Sequence, residues 1–297
     1  MEIGFGLPVS GSWATPGNIR EIAQRADELG YSTLWSFQRL LVAESTPLAP
    51  PYHSVLDPIG PLMFAAAVTE RIRLGTAVIN APFQSPAMLA KQLATLDILS
   101  DGRLDAGLGL GWSRDEFQAA GTDYAARGAR AAEFVDCMRK VWSQDPVSYD
   151  GRFYTIPLAS ILPKPLQQCP PILLGGAAPA ALRRAGRIAD GWISSSRAEL
   201  GSLGDAVQQI RTAATDAGRD ADALRFVCRG VAMVGARDGM LTGSHAQIRD
   251  DFARIAEQGI TEIFIDLNFD PSIGNPAADP AESMARARAA LEEFAPE

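Results

Sequence analysis

The sequence predicts an α/β chain closed into a (β/α)8 TIM barrel with inserted segments, on three observations. Strand-like and helix-like runs alternate from one end of the chain to the other. Eight such pairs fit within the 297 residues, against the roughly 250 that a parallel barrel usually needs. No linker or low-complexity stretch divides them, so one domain spanning 1–297 is expected. A doubly wound open sheet uses the same alternation, but eight repeats favour closure, which leaves no sheet edge to protect.

In order, residues 3–7 read as strand 1, closed by Pro8. Ile19, Ile22, Ala23, Ala26 and Leu29 then recur at helical spacing, and Gly30 supplies the stop. Residues 33–35 form strand 2. Residues 58–69 form helix 2, with Asp57 as N-cap and Pro58 at the first helical position. The apolar, β-branched run 72–78 is strand 3, and Leu89, Leu93 and Leu96 are the inner stripe of helix 3. Residues 103–108 are strand 4, ending in Gly107, Gly109 and Gly111, and Phe134, Met138, Val141 and Trp142 mark helix 4. Strand 5 (171–174), helix 5 (179–187), strand 6 (191–193) and a polar helix (198–217) follow. Strand 7 (225–234), a helix marked by Ile248, Phe252, Ile255 and Ala256, strand 8 (263–267) and a last helix (280–294) complete the set. Residues 43–55 and 149–170 read as insertions, the second with a hairpin turn at Asp150-Gly151-Arg152.

The composition narrows the function. With 47% hydrophobic residues the chain has ample material for a large core. Its net charge of −8 and scattered lysines and arginines argue against a nucleic-acid partner. The longest uncharged apolar stretch, 58–68, is too short to cross a bilayer, and the first residues lack the charged start of a signal peptide, so no membrane and a cytoplasmic location are expected. Cys137, Cys169 and Cys228 are odd in number and far apart, which reads as small buried side chains rather than a disulfide framework. His53 and His245 are the only histidines, and with no CxxC or HExxH no metal site is expected.

In such a barrel chemistry belongs at the carboxyl ends of the strands. That places Ser36, Gln38 and Arg39 after strand 2, Val78 and Asn80 after strand 3, and Gly109, Leu110, Gly111 and Trp112 after strand 4. Residues 8–12 and 266–268 stand in the same position after strands 1 and 8. Gly175, Gly176 and Ala177 lie between strand 5 and a helix, where exposed N–H groups and the helix dipole favour an anion. Ser194, Ser195, Ser196 and Arg197 add hydroxyls and a cation, and the two loops read either as a phosphate cradle or as a tight turn with an N-cap serine. Glycines at every second position of strand 4 do not match the dinucleotide fingerprint. They read either as a strand face bare enough for a flat ring or as crowding inside the barrel.

The ordered set Glu28-Leu29-Gly30-Tyr31-Ser32-Thr33-Leu34-Trp35, Arg71-Ile72-Arg73-Leu74-Gly75-Thr76, Leu96-Asp97-Ile98-Leu99-Ser100-Asp101-Gly102-Arg103 and Gly107-Leu108-Gly109-Leu110-Gly111-Trp112 resembles the luciferase-like flavin and deazaflavin oxidoreductases. Pro163-Lys164-Pro165, Ala189-Asp190-Gly191-Trp192 and Leu241-Thr242-Gly243-Ser244 extend the resemblance over nearly the whole chain. It implies a luciferase-like barrel, usually dimeric, that binds coenzyme F420 or, in other branches, FMN, and acts on a small molecule. It also implies a non-proline cis peptide at Ala77-Val78 behind the cofactor ring, phosphate contacts at Gly175, Gly176 and the 194–197 loop, and a ring wall from the strand-4 glycines.

The chain departs from the family pattern in one place. Many relatives carry Asp-His shortly after the strand-2 tryptophan, where this chain has Gln38 and Arg39. Arginine stays protonated and is a poor proton donor, so Arg39 is expected to act electrostatically on a substrate or ring charge, or else to form a salt bridge. His53 is the candidate replacement acid, with an exposed loop histidine as the alternative. Glu116 is expected to be a solvated first-turn carboxylate, and His245 to be structural. An F420-dependent oxidoreductase is the leading expectation, ahead of an FMN-dependent monooxygenase with a partner reductase and a non-catalytic flavin-binding relative. A sugar-phosphate isomerase ranks last, because no strand-end histidine or lysine is in place.

Overall fold

Apolar strands that must satisfy every backbone group close on themselves, and this chain does so. The computed structural model describes residues 1–296. Eight parallel strands succeed one another in chain order: β1 (Glu2–Gly6), β2 (Thr33–Ser36), β3 (Arg73–Thr76), β4 (Leu104–Gly109), β5 (Ile172–Gly175), β6 (Gly191–Ile193), β7 (Arg225–Val231) and β8 (Glu262–Asp266). Each pairs with the next, and β8 pairs with β1 through Ile3 and Ile263, so the sheet is a closed barrel. Around it run α1 (Pro16–Glu28), α2 (Ile59–Ala66), α3 (Pro86–Leu99), α4 (Arg127–Ser143), α5 (Pro179–Ile188), α6 (Leu203–Asp216), α7 (His245–Ala256) and α8 (Pro280–Glu293).

The boundaries moved where local chemistry decided them. α2 starts at Ile59, one residue later than expected, with Pro58 as its cap; Asp57 still accepts from the Ile59 N–H at 3.2 Å. The polar helix begins as a 3-10 turn at Leu200–Ser202 before α6. The later insertion is a hairpin of Val147–Asp150 and Thr155–Ala159, with Asp150 opposite Thr155. The earlier one holds only a 3-10 turn, Pro50–Tyr52, and is tied to the barrel by a bridge from Val55 to Ser10. His245 opens α7 behind a capping box of Ser244 and Gln247. Cys137 and Cys228 are buried, whereas Cys169 is exposed in the turn before β5, against expectation. Among the described residues no helix is long and apolar enough to cross a membrane.

Two apolar layers result. The larger lies between strands and helices, and the smaller fills the barrel with Trp35, Ala77, Leu173, Ile193, Val227 and Phe264. Trp35 stacks on Phe264 with centroids 5.3 Å apart, and a Cβ at Gly75 would collide with its indole. The floor of the barrel is charged. Arg225 donates to Asp105 and to Glu262, each at 2.8 Å, Arg73 pairs with Asp105 at 2.6 Å, and the Trp35 Nε1 donates to Glu262 at 2.8 Å. Burial raises the Glu262 pKa, and Arg225 opposes that shift.

Replacing Arg225 with Met strands the buried Glu262 carboxylate and is expected to cost about 3 kcal/mol in urea unfolding. A carboxyl whose folded pKa is raised favours folding at low pH and loses that advantage as pH rises through the folded value. The deficit of Arg225→Met is therefore expected to shrink below the ordinary glutamate range and to widen toward neutrality.

Candidate active site

The carboxyl ends of the strands surround a cavity of about 580 Å³. Its shape begins with an interruption of β3. Leu74 and Gly75 pair with Leu104 and Asp105, and pairing with β4 resumes only at Ile79 and Asn80, opposite Leu108 and Gly109. Across the gap the Thr76 hydroxyl donates to the Gly107 carbonyl at 2.7 Å and accepts from its N–H at 2.9 Å. Ala77 and Val78 are left unpaired between the two stretches, and the peptide between them is cis.

Neighbours on every side hold this segment. The Ala77 N–H donates to Ser36 at 2.6 Å, and the Ala77 carbonyl accepts from Arg229 Nη1 at 2.9 Å. The Asn80 N–H donates to the Gln38 side chain at 2.8 Å, and Val78 rests against Gly109 and Gly175. A Cβ at Gly109 would collide with Val78, and one at Gly175 would lie 3.3 Å from it. The alternating glycines thus divide. Gly107 answers crowding beneath the Thr76 carbonyl, whereas Gly109 and Gly111 line the cavity.

One end of the cavity suits an anion. Gly175, Gly176 and Ala177 lead into α5, whose N-cap Ala178 offers no side-chain cap, so its first N–H groups lack that partner. Gly176 has a φ of +134°, and a Cβ there would come within 2.7 Å of Ala181. Ser194, Ser195 and Ser196 face α5 from the next loop. The buried Ser194 hydroxyl accepts from the Arg229 N–H at 2.9 Å, while Ser195 is exposed and accepts from the Arg197 N–H at 3.2 Å. Burial pushes the neighbouring Cys228 thiol up to about 12, so no thiolate chemistry arises here.

The other end is aromatic and holds a buried ion pair. The Arg39 guanidinium lies 5.0 Å from the Tyr52 ring and 4.6 Å from the Trp112 ring. Its Nη1 is 2.8 Å from Glu116 Oε2, and the two side chains are 6% and 1% exposed. Glu116 is therefore no solvated carboxylate. The short helix Arg114–Ala119 turns it inward, and it also accepts from the Leu40 N–H at 2.7 Å. Burial lowers the Arg39 pKa, and Glu116 opposes that shift. The contact with Glu116 is too poorly aligned to count as a hydrogen bond, so Arg39 Nε and Nη1 and Glu116 Oε2 are buried without one.

Gln38, Arg39, Ala77, Val78, Asn80, Gly109, Leu110, Gly111, Trp112, Gly175, Gly176, Ala177, Ser194, Ser195 and Ser196 all line the cavity. Three expected residues do not. Ser36 is buried and donates to the Pro58 carbonyl at 3.0 Å. His53 is exposed, its ring nitrogen 2.8 Å from the Leu48 carbonyl. Arg197 stands outside, over the Trp112 ring at 5.3 Å. The main residue missed is Arg229, which lines the cavity and is locked to Asp266 by Nε at 2.7 Å and Nη2 at 2.6 Å. A charge amid the apolar run of β7, on the face shared with Val227, was its available signal.

A family model described as luciferase-like monooxygenase matches residues 4–241. The chain belongs to the luciferase-like monooxygenase family. Among its relatives, the uncharacterized Mycobacterium tuberculosis protein Rv0953c is 35% identical over 217 residues, 73% of this chain and 71% of that one. The FMNH2-dependent dimethylsulfone monooxygenase of Pseudomonas fluorescens is 37% identical over 151 residues, 50% of this chain and 41% of that protein. The F420-dependent glucose-6-phosphate dehydrogenase of Amycolatopsis mediterranei is 29% identical over 195 residues, 64% and 57% of the two chains. In fold, this luciferase-like chain superposes on monooxygenase RslO1 from Streptomyces bottropensis with a TM-score of 0.79 at 24% identity, over 99% of this chain and 98% of that one. An F420-dependent secondary alcohol dehydrogenase also gives 0.79, at 18% identity over 98% of each chain.

Glu116→Ala would leave the Arg39 guanidinium buried without its carboxylate. The expected loss is about 3 kcal/mol of stability in chemical denaturation, and Arg39→Met combined with Glu116→Leu is expected to recover most of it.

Proposed function

We propose that this chain is an F420-dependent oxidoreductase that moves a hydride between the deazaflavin and a small organic substrate. The observation that carries the reading is a single cavity with an anion-binding turn at one end, a flat wall backed by glycine in the middle, and a buried cation between aromatic rings at the other. The residues present fit the cofactor. Gly176 lies at the turn into α5, whose N-cap makes no side-chain hydrogen bond, and Val78 against Gly109 and Gly175 gives a broad face without long side chains. The family supports a flavin or deazaflavin cofactor, and relatives whose names carry F420 support this choice between them.

Bound there, the deazaflavin would supply the two-electron step. The N–H groups at Gly176 and Ala177, with Ser195 and Ser196, would hold its phosphate. Ala77, Val78, Asn80 and the 109–112 segment would flank the ring, with Arg229 fixing the Ala77 carbonyl behind it. Arg39 would orient a carbonyl or anionic oxygen of the substrate and stabilise negative charge as it develops. Arginine holds its proton through any ordinary pH, so no proton transfer is assigned to it. Gln38 would position Asn80, and neither Ser36 nor His53 has a part in this scheme. An FMN-dependent monooxygenase is the second reading, favoured by the 37% identity to the Pseudomonas enzyme.

Absorbance titration of the purified protein with F420 and with FMN tests this directly. Saturable binding of F420, tighter than FMN, is expected; the reverse order supports the second reading, and no binding of either overturns both. With a substrate in hand, Arg39→Met is expected to lower kcat/KM roughly 100-fold while leaving the cofactor Kd unchanged.

A further inference from the structure

We infer that the Arg39 end of the cavity takes an uncharged, planar, conjugated carbonyl compound and turns away anions and polyols. The inference rests on the proposed function, which leaves the substrate as any small organic molecule, and narrows it to one chemical class.

Charge gives the first argument. Arg39 and Arg229 both line this end, and each arrives with its own carboxylate. Arg39 Nη1 lies 2.8 Å from Glu116 and Arg229 Nη2 lies 2.6 Å from Asp266, all four side chains being buried. Each pair sums to zero charge. A carboxylate or phosphate ester would leave water for a guanidinium that is already neutralised, with Glu116 across it. An ammonium would meet two cations. A neutral molecule enters without either cost.

Hydrogen bonding gives the second. Arg39 Nε and Nη1 are buried without a hydrogen bond, and a guanidinium has only donors. Arg229 has no such shortage: Nε and Nη2 face Asp266, and Nη1 donates to the Ala77 carbonyl. The Gln38 carbonyl oxygen already accepts from the Asn80 N–H at 2.8 Å, which leaves a donor in its amide nitrogen. Among the described residues no carboxylate lines the cavity, so this end is rich in donors and poor in acceptors. A sugar would bury hydroxyl hydrogens that face no acceptor, whereas a carbonyl oxygen is the acceptor Arg39 lacks.

Shape and chemistry complete the case. Phe37, Tyr52 and Trp112 make this wall aromatic. Phe37 and Tyr52 are both braced on Phe269, with centroids 5.3 and 5.2 Å away, and Arg229 lies 4.6 Å from the Phe37 and Phe269 rings. Rings pinned in this way favour a flat partner over a puckered one. Among the described residues no histidine, lysine, cysteine or carboxyl group lines the cavity, so charge left by a hydride is better held than quenched. Conjugate addition suits that requirement. A hydride with its electron pair joins the β-carbon, the double-bond pair moves toward oxygen, and the enolate oxygen lies against Arg39. A proton from water then adds at the α-carbon and gives the saturated ketone, the two electrons coming from the reduced deazaflavin of the proposed function.

The test is isothermal titration of the F420-loaded protein with benzylideneacetone, its carboxylate counterpart cinnamate, its saturated counterpart benzylacetone, and glucose 6-phosphate. Benzylideneacetone is expected to bind roughly tenfold or more tighter than cinnamate or glucose 6-phosphate, and measurably tighter than benzylacetone. Glu116→Gln unmasks the charge of Arg39 with little change of shape, and is expected to strengthen cinnamate binding roughly tenfold while moving benzylideneacetone by less than about twofold. Arg39→Met combined with Glu116→Leu keeps this end uncharged and is expected to weaken benzylideneacetone roughly tenfold. Single turnover with reduced F420 should convert benzylideneacetone to benzylacetone. Tighter binding of cinnamate or glucose 6-phosphate to wild type, equal binding of the two ketones, an unchanged gap between ketone and carboxylate in Glu116→Gln, or an unsaturated alcohol as product overturns the inference. Binding of none of the four by protein that holds F420 also overturns it and leaves the proposed function standing. If F420 does not bind, yet the protein prefers benzylideneacetone and Glu116→Gln narrows that preference, the subsite stands and the proposed function falls.

Discussion

The interruption of β3 sets the form of everything above it. A continuous ladder between β3 and β4 would carry Ala77 and Val78 flat along the barrel wall. Instead the Thr76 hydroxyl meets both the N–H and the carbonyl of Gly107, and the two residues after it leave the ladder and line the cavity. A hydroxyl can stand in for a peptide group because it both donates and accepts. What makes this segment a defined surface is the set of groups around it. Ser36 and Arg229 hold the Ala77 peptide from two directions, and glycines at 109 and 175 leave room for the Val78 side chain.

Charge is arranged by height along the barrel. On β7 the interior positions read Arg225, Val227 and Arg229. The first arginine joins Asp105 and Glu262 at the floor, the valine packs with Trp35 and Phe264, and the second arginine meets Asp266 below the mouth. Each of these two arginines of β7 is matched by a carboxylate. Toward the outer mouth Arg127 and Arg184 line the cavity, and among the described residues no carboxylate stands on that wall.

The barrel was legible because periodicity and length carry it: alternating apolar runs located every strand, with errors of a few residues at the ends. The Gly175–Ala177 and 194–196 loops were legible as cavity wall because they follow strands at the carboxyl end of the barrel. Glu116 was misread because position in a first helical turn says nothing about which way that turn faces. A six-residue helix pointing inward buried it completely. Arg229 was missed because its partner Asp266 is on another strand, and a pairing 37 residues apart leaves no local pattern. The cis peptide at Ala77–Val78 came from family resemblance and not from composition, since Ala-Val has no intrinsic tendency toward it.

Tyr52 reaches Arg39 from the segment between β2 and α2, which packs on the barrel through the Ser10–Val55 bridge and the contact of Tyr52 with Phe269. Trp112 reaches it from the loop after β4. The Arg39 end of the cavity is thus assembled from two excursions off the scaffold, while the opposite end is cut into the scaffold itself. On the proposed function, such a division of labour would let the choice of substrate be retuned by reshaping two loops, with the cofactor end left standing.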